Sequence, residues 1–408
     1  MVINRITQFI GILWLIMSIT AFKSYCQINE TPETPYRILL DNVLSEEPIY
    51  FSRLFSNCHL IPLETNEDCL INSIADIRIE NNIIYLTDRQ AFSGRILMFS
   101  MTGQYLSKVD KNGIGPYEYT RFTCYDIDQQ QKKIAVFDRS KKKLNFYDFQ
   151  GKFKNELLLN FNYSGFNLSK NHIFLYKDPL DRLSEDFDND YVVHILDYAG
   201  NSQGKLLKSS ETKFLDVPGV NVGSVYFFEY DNEVRFHPSY SDTIYSIKDQ
   251  TIRPFLIIDS KKYRLTDDDF KMINNDLRNR GTGQPPLIST IEKLTNFDYY
   301  AENNELIFFR FRLGVKGFYF TFYDKISGKT LCSNWHRDDL TNINPNIISL
   351  NENNVLAYIS PSRFSAIKKD IMAGKIKLTP ENKQILERVS ELDNPVIVIL
   401  TLNKKPIF

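Results

Sequence analysis

Residues 83–105 read IIYLTDRQAFSGRILMFSMTGQY, and residues 134–153 read IAVFDRSKKKLNFYDFQGKF. Each segment has a short apolar stretch ending in Asp-Arg, a second apolar stretch, a polar turn with glycine, and the start of a third stretch. The turn glycines, Gly103 and Gly151, lie 48 residues apart. Short runs rich in Ile, Val, Phe and Tyr between turn residues are typical of β-strands. The two segments therefore indicate an internal repeat of about 49 residues built from short strands.

The same spacing continues along the chain. Gly200 follows Gly151 by 49 residues, and another turn lies 49 residues later, at residue 249. The next two intervals are longer, and each contains a predicted helical insertion, near 266–281 and 361–393. The first insertion begins with a threonine followed by three aspartates, which is typical of a capped helix start. Without these insertions, the chain contains six similar units.

Six units of four short antiparallel strands predict an all-β fold, a six-bladed β-propeller with small helical insertions. The first unit supplies all four strands, at Ile74–Ile79, Ile83–Leu86, Arg95–Phe99 and Tyr105–Val109.

The last unit has three strands before Asn403, whereas His59–Leu63 precedes the first unit and belongs to none. We therefore expect His59–Leu63 to pair with Val396–Leu402 and close the ring, which removes exposed strand edges. Pro62 has no backbone N–H, so this closing strand should be the outer strand of its blade.

The N-terminus predicts a secretory signal peptide over residues 1–26. A basic residue precedes an apolar run of 14 residues, Phe9–Phe22, which is too short for a permanent membrane span. Cleavage after Cys26 is one alternative, and lipidation of Cys26 is the other. Bulky Tyr25 disfavours lipidation. The expected organisation is then a lead segment at 27–57 and the propeller at 58–408, in the periplasm or on the cell surface, associated with the outer membrane.

Composition limits the classes of partner. The formal net charge of the chain is −1, without a basic bias, so nucleic acid is not an expected partner. The abundance of Phe (30) and Tyr (23) favours strands. After residue 26 no segment is long and apolar enough to predict a transmembrane helix.

Four stretches of sequence resemble the exported six-bladed β-propeller proteins of Gram-negative bacteria, which are related to NHL-repeat and TolB-like propellers. These stretches are Ile84–Asp88, Gly113–Tyr119, Ser241–Tyr245 and Asp393–Ile397. The resemblance is strong in the first two units and rests mainly on spacing in the others. It implies the fold and export, but no activity.

Two features of the first units are candidate ligand-binding positions. The loop GIGPYEY contains Tyr117, Glu118 and Tyr119, and one hypothesis places Glu118 at a mouth of the propeller. The alternative is an inter-blade crossover whose tyrosines pack on the blades, which the pattern favours. Arg89 and Arg139 end equivalent strands and either line a charged funnel or pair locally.

No catalytic or metal-binding pattern stands out, and no cofactor is expected. The five histidines form no HxH, HxxxH or HExxH motif. Cys58 and Cys69 are close enough in sequence to form a disulfide, but four unpaired thiols are the favoured alternative. The acidic cluster Asp181–Asp190 lacks the spacing of a calcium loop and predicts a solvated loop.

These observations favour a non-enzymatic module that binds a protein, peptide or glycan outside the cytoplasm. The alternative is an extracytoplasmic enzyme, a metal-assisted lyase or hydrolase, with its site at the central channel. An enzyme should show His, Asp, Glu or Arg side chains converging at one mouth. A binding scaffold should show an aromatic or apolar patch. The sequence does not indicate an oligomeric state.

Overall fold

The fold is a ring of six four-stranded antiparallel sheets, so the predicted six-bladed β-propeller is confirmed. The computed structural model describes residues 34–403 apart from 91–92, 178–189, 214, 216–226, 249, 280, 282–283 and 352, and without the side chains of 296 and 298. The predicted signal peptide and Cys26 lie outside the described residues.

Blades are numbered in chain order, and the first strand of each blade is the innermost. Blade 1 comprises Ile74–Glu80, Ile83–Gln90, Ser93–Ser100 and Tyr105–Val109. Blade 2 comprises Phe122–Asp128, Lys133–Asp138, Lys143–Asp148 and Phe153–Leu158. Blade 3 comprises Tyr163–Leu168, Ile173–Lys177, Tyr191–Leu196 and Ser202–Lys208. Blade 4 comprises Phe227–Tyr230, Glu233–Phe236, Thr243–Lys248 and Thr251–Asp259. Blade 5 comprises Leu294–Glu302, Leu306–Leu313, Phe318–Asp324 and Thr330–Ser333.

Blade 6 joins the two ends of the chain. Its first three strands are Asn346–Asn351, Asn354–Ile359 and Val396–Leu402, and its outer strand is Phe55–Pro62. His59 pairs with Ile399 and Pro62 with Val396 in an antiparallel ladder. Both the predicted ring closure and the outer position of the proline-containing strand are confirmed.

The middle strands of the blades are buried on both faces. In Ile83–Gln90, Ile84 belongs to a core cluster with Ile397 of blade 6, while Tyr85 belongs to a cluster with Val136 of blade 2. Successive side chains of a strand point to opposite faces. An unbroken apolar run can therefore fill the two cores on either side of its blade.

The lead segment wraps around the outside of the ring. Tyr36–Leu39 pairs in parallel with the outer strand of blade 4, and Leu44–Ser45 pairs in parallel with the outer strand of blade 5. Ile49–Tyr50 then pairs with the short strand His336–Arg337 before the chain enters blade 6. This segment covers sheet edges that would otherwise be open to pairing with other chains.

Helices occur in the lead segment and at the two predicted insertions. The α-helices are Leu40–Val43, Phe51–Leu54, Asp267–Asn279, Leu287–Thr290, Phe364–Met372 and Pro380–Arg388, with 3-10 turns at Ser209–Glu211, Gly314–Lys316 and Pro361–Arg363. Thr266 caps the third helix reciprocally with Asp269: the Asp269 N–H donates to Thr266 Oγ1 (3.2 Å), and the Thr266 N–H donates to Asp269 Oδ2 (2.8 Å). Within the described part of the chain, no helix is both long and apolar enough to cross a lipid bilayer.

The four cysteines within the described residues are Cys58, Cys69, Cys124 and Cys332, and all are free thiols. A disulfide between Cys58 and Cys69 is therefore not formed, and the favoured alternative of unpaired thiols describes the structure.

Candidate functional site

A central channel of about 600 Å³ runs between the inner strands, and all six blades contribute to its wall. Its lining includes seven carboxylate side chains, on Asp76, Glu80, Asp126, Asp128, Glu229, Asp231 and Glu302. It also includes seven aromatic rings, on Tyr125, Phe166, Phe227, Phe228, Tyr230, Tyr299 and Tyr300. Among the described residues, Arg78 and Lys170 are the basic side chains in this lining.

The inner strand of blade 1 shows how the sequence directs charge toward the channel. Residues 76–80 alternate charged and apolar side chains, and Ile77 is fully buried between blades 1 and 6. Because the side chains of a strand alternate between its faces, Asp76, Arg78 and Glu80 share one face. This face borders the channel.

Arg78 connects two blades at the channel wall. Its Nε lies 3.0 Å from Asp76 Oδ2, and its Nη1 lies 2.9 Å from Asp126 Oδ1 of blade 2. Its guanidinium carbon also lies 4.5 Å from the ring centroid of Tyr125. One cation is thus shared by two carboxylates and one aromatic face, an arrangement that favours a fixed guanidinium orientation.

Asp126 links blade 2 to blade 3. Its Oδ2 accepts hydrogen bonds from the Leu168 N–H (2.6 Å) and from Asn167 Nδ2 (3.0 Å). The residue is 8% exposed, and burial raises the pKa of its carboxyl although Arg78 opposes that shift. The inner strands of three consecutive blades are therefore joined through one buried acid.

The other acids of blades 1 and 2 have neutral partners. Gln129 Nε2 donates to Glu80 Oε2 (2.9 Å), and the Tyr198 hydroxyl donates to Asp128 Oδ2 (2.6 Å). Burial raises the pKa of Glu80. These hydrogen bonds satisfy carboxylate oxygens without supplying positive charge.

Glu229, on the short inner strand of blade 4, has the most perturbed carboxyl of the channel. Its side chain is exposed within the channel. Loss of bulk solvent raises its pKa to about 7, and repulsion by Asp126, Glu80 and Asp128 adds to the shift. The channel therefore contains a carboxyl that changes charge near neutral pH.

Glu302 also borders the channel, but its charge is compensated from behind the wall. Arg235 Nε lies 2.6 Å from its Oε1, and Lys325 Nζ lies 2.6 Å from its Oε2. Arg235 further contacts Glu233 at 2.7 Å, and these side chains are nearly completely buried. This network joins blades 4 and 5 and leaves Glu302 no free charge for a ligand.

The channel is thus a polar, net acidic cavity with aromatic rings in its wall. It can bind hydrogen-bond donors and positive charge. It combines the convergent Asp, Glu and Arg side chains expected of an enzyme with the aromatic surface expected of a binding scaffold. Of the residues that the structure describes, no group of three or more His, Cys, Asp or Glu side chains is arranged to hold a metal ion.

The predicted loop residues lie between blades 1 and 2, away from the channel lining. Tyr119 is fully buried, and its hydroxyl donates to the Gly94 carbonyl (2.8 Å). Glu118 Oε2 accepts from the Gly115 N–H (2.8 Å) within the loop itself. Tyr117 is 58% exposed and packs on the ring of Phe153. These contacts form an inter-blade crossover, and a ligand-binding role for the loop stays a prediction.

Arg89 and Arg139 lie at the ends of equivalent strands. Arg89 Nη1 donates to the Thr123 carbonyl (3.3 Å), and the Arg139 N–H donates to Thr123 Oγ1 (3.4 Å). The preceding aspartates accept backbone N–H groups of neighbouring turns, as in the bond from Ser73 to Asp88 (2.8 Å). In the described structure neither arginine lines the channel, so their predicted ligand binding also stays a prediction.

The predicted acidic loop lies outside the described residues except for Asp190. This aspartate forms a buried ion pair with Lys177, with 3.1 Å between Nζ and Oδ1.

The sequence prediction missed the channel carboxylates. The alternating motif at 76–80 was the available signal, because a charged residue at every second position of an inner strand must face the ring axis. Glu229 gave no comparable signal, since its neighbours in the channel lie on blades 1 and 2.

The architecture and its acidic axial channel define a six-bladed β-propeller with a candidate ligand site at its centre. Residues 36–401 match the family described as a domain of unknown function, DUF4934, and the chain belongs to that family. No curated protein matches the sequence.

Solved structures share the fold. A Bacteroides fragilis protein described as exported is 17% identical, with a TM-score of 0.72 over 91% of this chain and 100% of that chain. A DUF4221 family member from Bacteroides vulgatus is 12% identical, with a TM-score of 0.47 over 86% and 97% of the two chains. Virginiamycin B lyase from Staphylococcus aureus is 12% identical, with a TM-score of 0.37 over 74% and 81%. The last two are distant likenesses.

Proposed function

We propose that this protein is an exported, non-enzymatic binding module whose ligand site is the central channel. The observation that carries the proposal is the channel itself, about 600 Å³ in volume and lined from all six blades. This volume lies in the usual range for ligand pockets. Aromatic faces beside fixed hydrogen-bonding groups suit a segment of a protein, a peptide or a glycan.

Export is supported by two observations. The first 26 residues have the layout of a signal peptide. The Bacteroides fragilis protein of similar fold is described as exported. We therefore place the protein in the periplasm or on the cell surface of a Gram-negative bacterium, with lipidation of Cys26 as an alternative to simple secretion. Kinship with NHL-repeat and TolB-like propellers belongs to the same proposal.

The test is a binding screen with a variant that fills the channel. Ser169 lines the channel and is partly exposed, so Ser169→Trp should obstruct it. Ser202→Trp places the same ring on the exposed outer strand of blade 3 and serves as the control. Ligands from peptide and glycan arrays should bind the wild type and Ser202→Trp but not Ser169→Trp. Absence of binding from both arrays, or binding that Ser169→Trp leaves intact, would contradict the proposal.

A second candidate is an extracytoplasmic enzyme, a lyase or hydrolase, that uses the same channel. It is favoured by Glu229, because a carboxyl with a pKa of about 7 can donate or accept a proton at neutral pH. Mass spectrometry of array ligands after incubation separates the two candidates. A binding module leaves their masses unchanged. A product whose formation stops in Glu229→Gln would establish the enzyme.

A further inference from the structure

We propose that the channel recognises an organic cation, an ammonium or guanidinium group held among the carboxylates of blades 1, 2 and 4. This inference rests on the proposed binding function and specifies the chemistry of the ligand.

The first argument is the charge balance of the wall. Arg78 is shared between Asp76 and Asp126, so the single positive charge faces two negative ones. Lys170 is exposed, whereas Glu302 already has Arg235 and Lys325 as partners. The acids that remain without a cationic partner are Glu80, Asp128 and Glu229. Carboxylates enclosed by protein without a counter-charge are unfavourable, and a bound cation relieves that cost.

Glu229 is the acid most available to a ligand. Its side chain is exposed in the channel and makes no hydrogen bond or ion pair with any residue the structure describes. Glu80 and Asp128 keep acceptor capacity beyond their bonds to Gln129 and Tyr198, since an ionised carboxylate offers about four lone-pair sites. Three blades therefore present acceptors to one cavity.

An independent observation comes from Asn167 of blade 3. Its side chain lines the channel and is only 7% exposed. The amide Nδ2 donates to Asp126, but Oδ1 has no hydrogen-bond partner among the described residues. A buried acceptor without a partner is costly. A ligand rich in N–H donors satisfies it, whereas one that offers acceptors does not.

The aromatic wall supports the same chemistry. Phe228, Tyr230 and Tyr299 are partly exposed around the channel, and ring faces attract ammonium and guanidinium groups. The channel already binds one guanidinium in this manner, since Arg78 lies over Tyr125 while it bridges two aspartates. The ligand cation would repeat that arrangement beside Glu229.

Isothermal titration calorimetry with defined probes tests the inference. Tetralysine and spermidine represent peptide-borne and free amines, cellotetraose is a neutral glycan, and CaCl₂ supplies a metal ion. The test variant is Glu80→Gln/Glu229→Gln, which removes two charges and keeps the side-chain shape. The matched control, Glu305→Gln, removes an exposed carboxylate outside the channel lining.

We expect the wild type and Glu305→Gln to bind tetralysine, spermidine or both, and the double variant to bind at least about tenfold more weakly because charged hydrogen bonds are lost. Affinity should also fall as salt is added. Binding of tetralysine alone would identify a peptide source, and binding of both a free-amine source as well. Binding of calcium or cellotetraose without either amine would overturn the inference and leave the binding function intact. Amine binding that the double variant retains would overturn it too.

Discussion

Nη1 of Arg78 lies 2.9 Å from Oδ1 of Asp126, so the inner strands of blades 1 and 2 share an ion pair in the wall of the channel. Asp126 is nearly buried and bonded in turn to blade 3 through Leu168. A side chain that borders the candidate site therefore also holds three blades in register. The acidity of the channel and the stability of the ring are linked through this pair.

Removing the Arg78 guanidinium should destabilise the protein. Arg78→Met leaves Asp126 charged, buried and without its cation, and we expect a loss of about 2 kcal/mol in the free energy of unfolding. The control is Arg37→Met, which breaks an exposed pair with Asp259 and should cost less than about 1 kcal/mol. Urea denaturation measures both. Equal losses would show that the pair has no special role.

The closing strand should carry a large share of the stability. Leu60 is 1% exposed and pairs with Val398, so Leu60→Ala should cost about 3 kcal/mol. Leu106→Ala changes the same residue type at a half-exposed position on the outer strand of blade 1 and should cost under about 1 kcal/mol. Unfolding midpoints in urea compare them. A Leu60→Ala protein as stable as Leu106→Ala would contradict the importance of ring closure.

The repeated turn glycine should resist substitution. Gly151 has a φ of +75°, and a Cβ there would lie 2.0 Å from the carbonyl oxygen of Lys108 on the preceding blade. Gly151→Ala should therefore lower stability by about 2 kcal/mol. At Gly281 a Cβ would meet nothing within 4 Å, so Gly281→Ala should be close to neutral. Thermal unfolding followed by circular dichroism distinguishes the two, and a neutral Gly151→Ala would refute the packing explanation.

Glu229 should make stability depend on pH in a defined direction. Its pKa in the fold, about 7, lies above the ordinary value of 4.5. The facing charged groups are Asp126, Glu80 and Asp128, with Arg78 beside Asp126. The folded state holds the proton more tightly, so this contribution to stability is complete below about pH 4.5 and is lost as the pH rises through about 7.

Comparison with Glu229→Gln isolates this contribution. The variant does not titrate at this position, so the wild-type free energy of unfolding minus that of the variant should fall between about pH 4.5 and 7 and stay level above. Buried His194 and His237, whose pKa values are lowered to about 4 by burial, are present in both proteins and cancel. Urea unfolding across this pH range provides the measurement. A difference that rises with pH would contradict the assignment.

The fold could be predicted because its constraints recur in the sequence. The glycines at 103 and 151 repeat because each turn has positive φ and lies against the outer strand of the preceding blade. The unassigned strand around His59 could be placed because the last unit lacked its fourth strand. Such features are local or periodic, so one chain is enough to reveal them.

The candidate site was less predictable because it exists only after the ring closes. Glu229 and Asp126 are about a hundred residues apart in sequence, yet each influences the other's charge in the channel. The loop at 113–119 attracted attention through its glycines and tyrosines, but that composition serves the contact between Tyr119 and Gly94. Unusual composition marked a packing solution, whereas ordinary-looking strand residues formed the channel.

Zero-length carbodiimide cross-linking with tetralysine tests the proposed cation site most directly. The reagent joins a lysine amine to a contacting carboxylate as an amide, with loss of water, and peptide mass spectrometry locates the bond. The structure predicts amides at Glu229 or Glu80, lost in Ser169→Trp, with little reaction at Glu305. Cross-links confined to surface carboxylates such as Glu305, or unchanged by Ser169→Trp, would contradict a cation site in the channel.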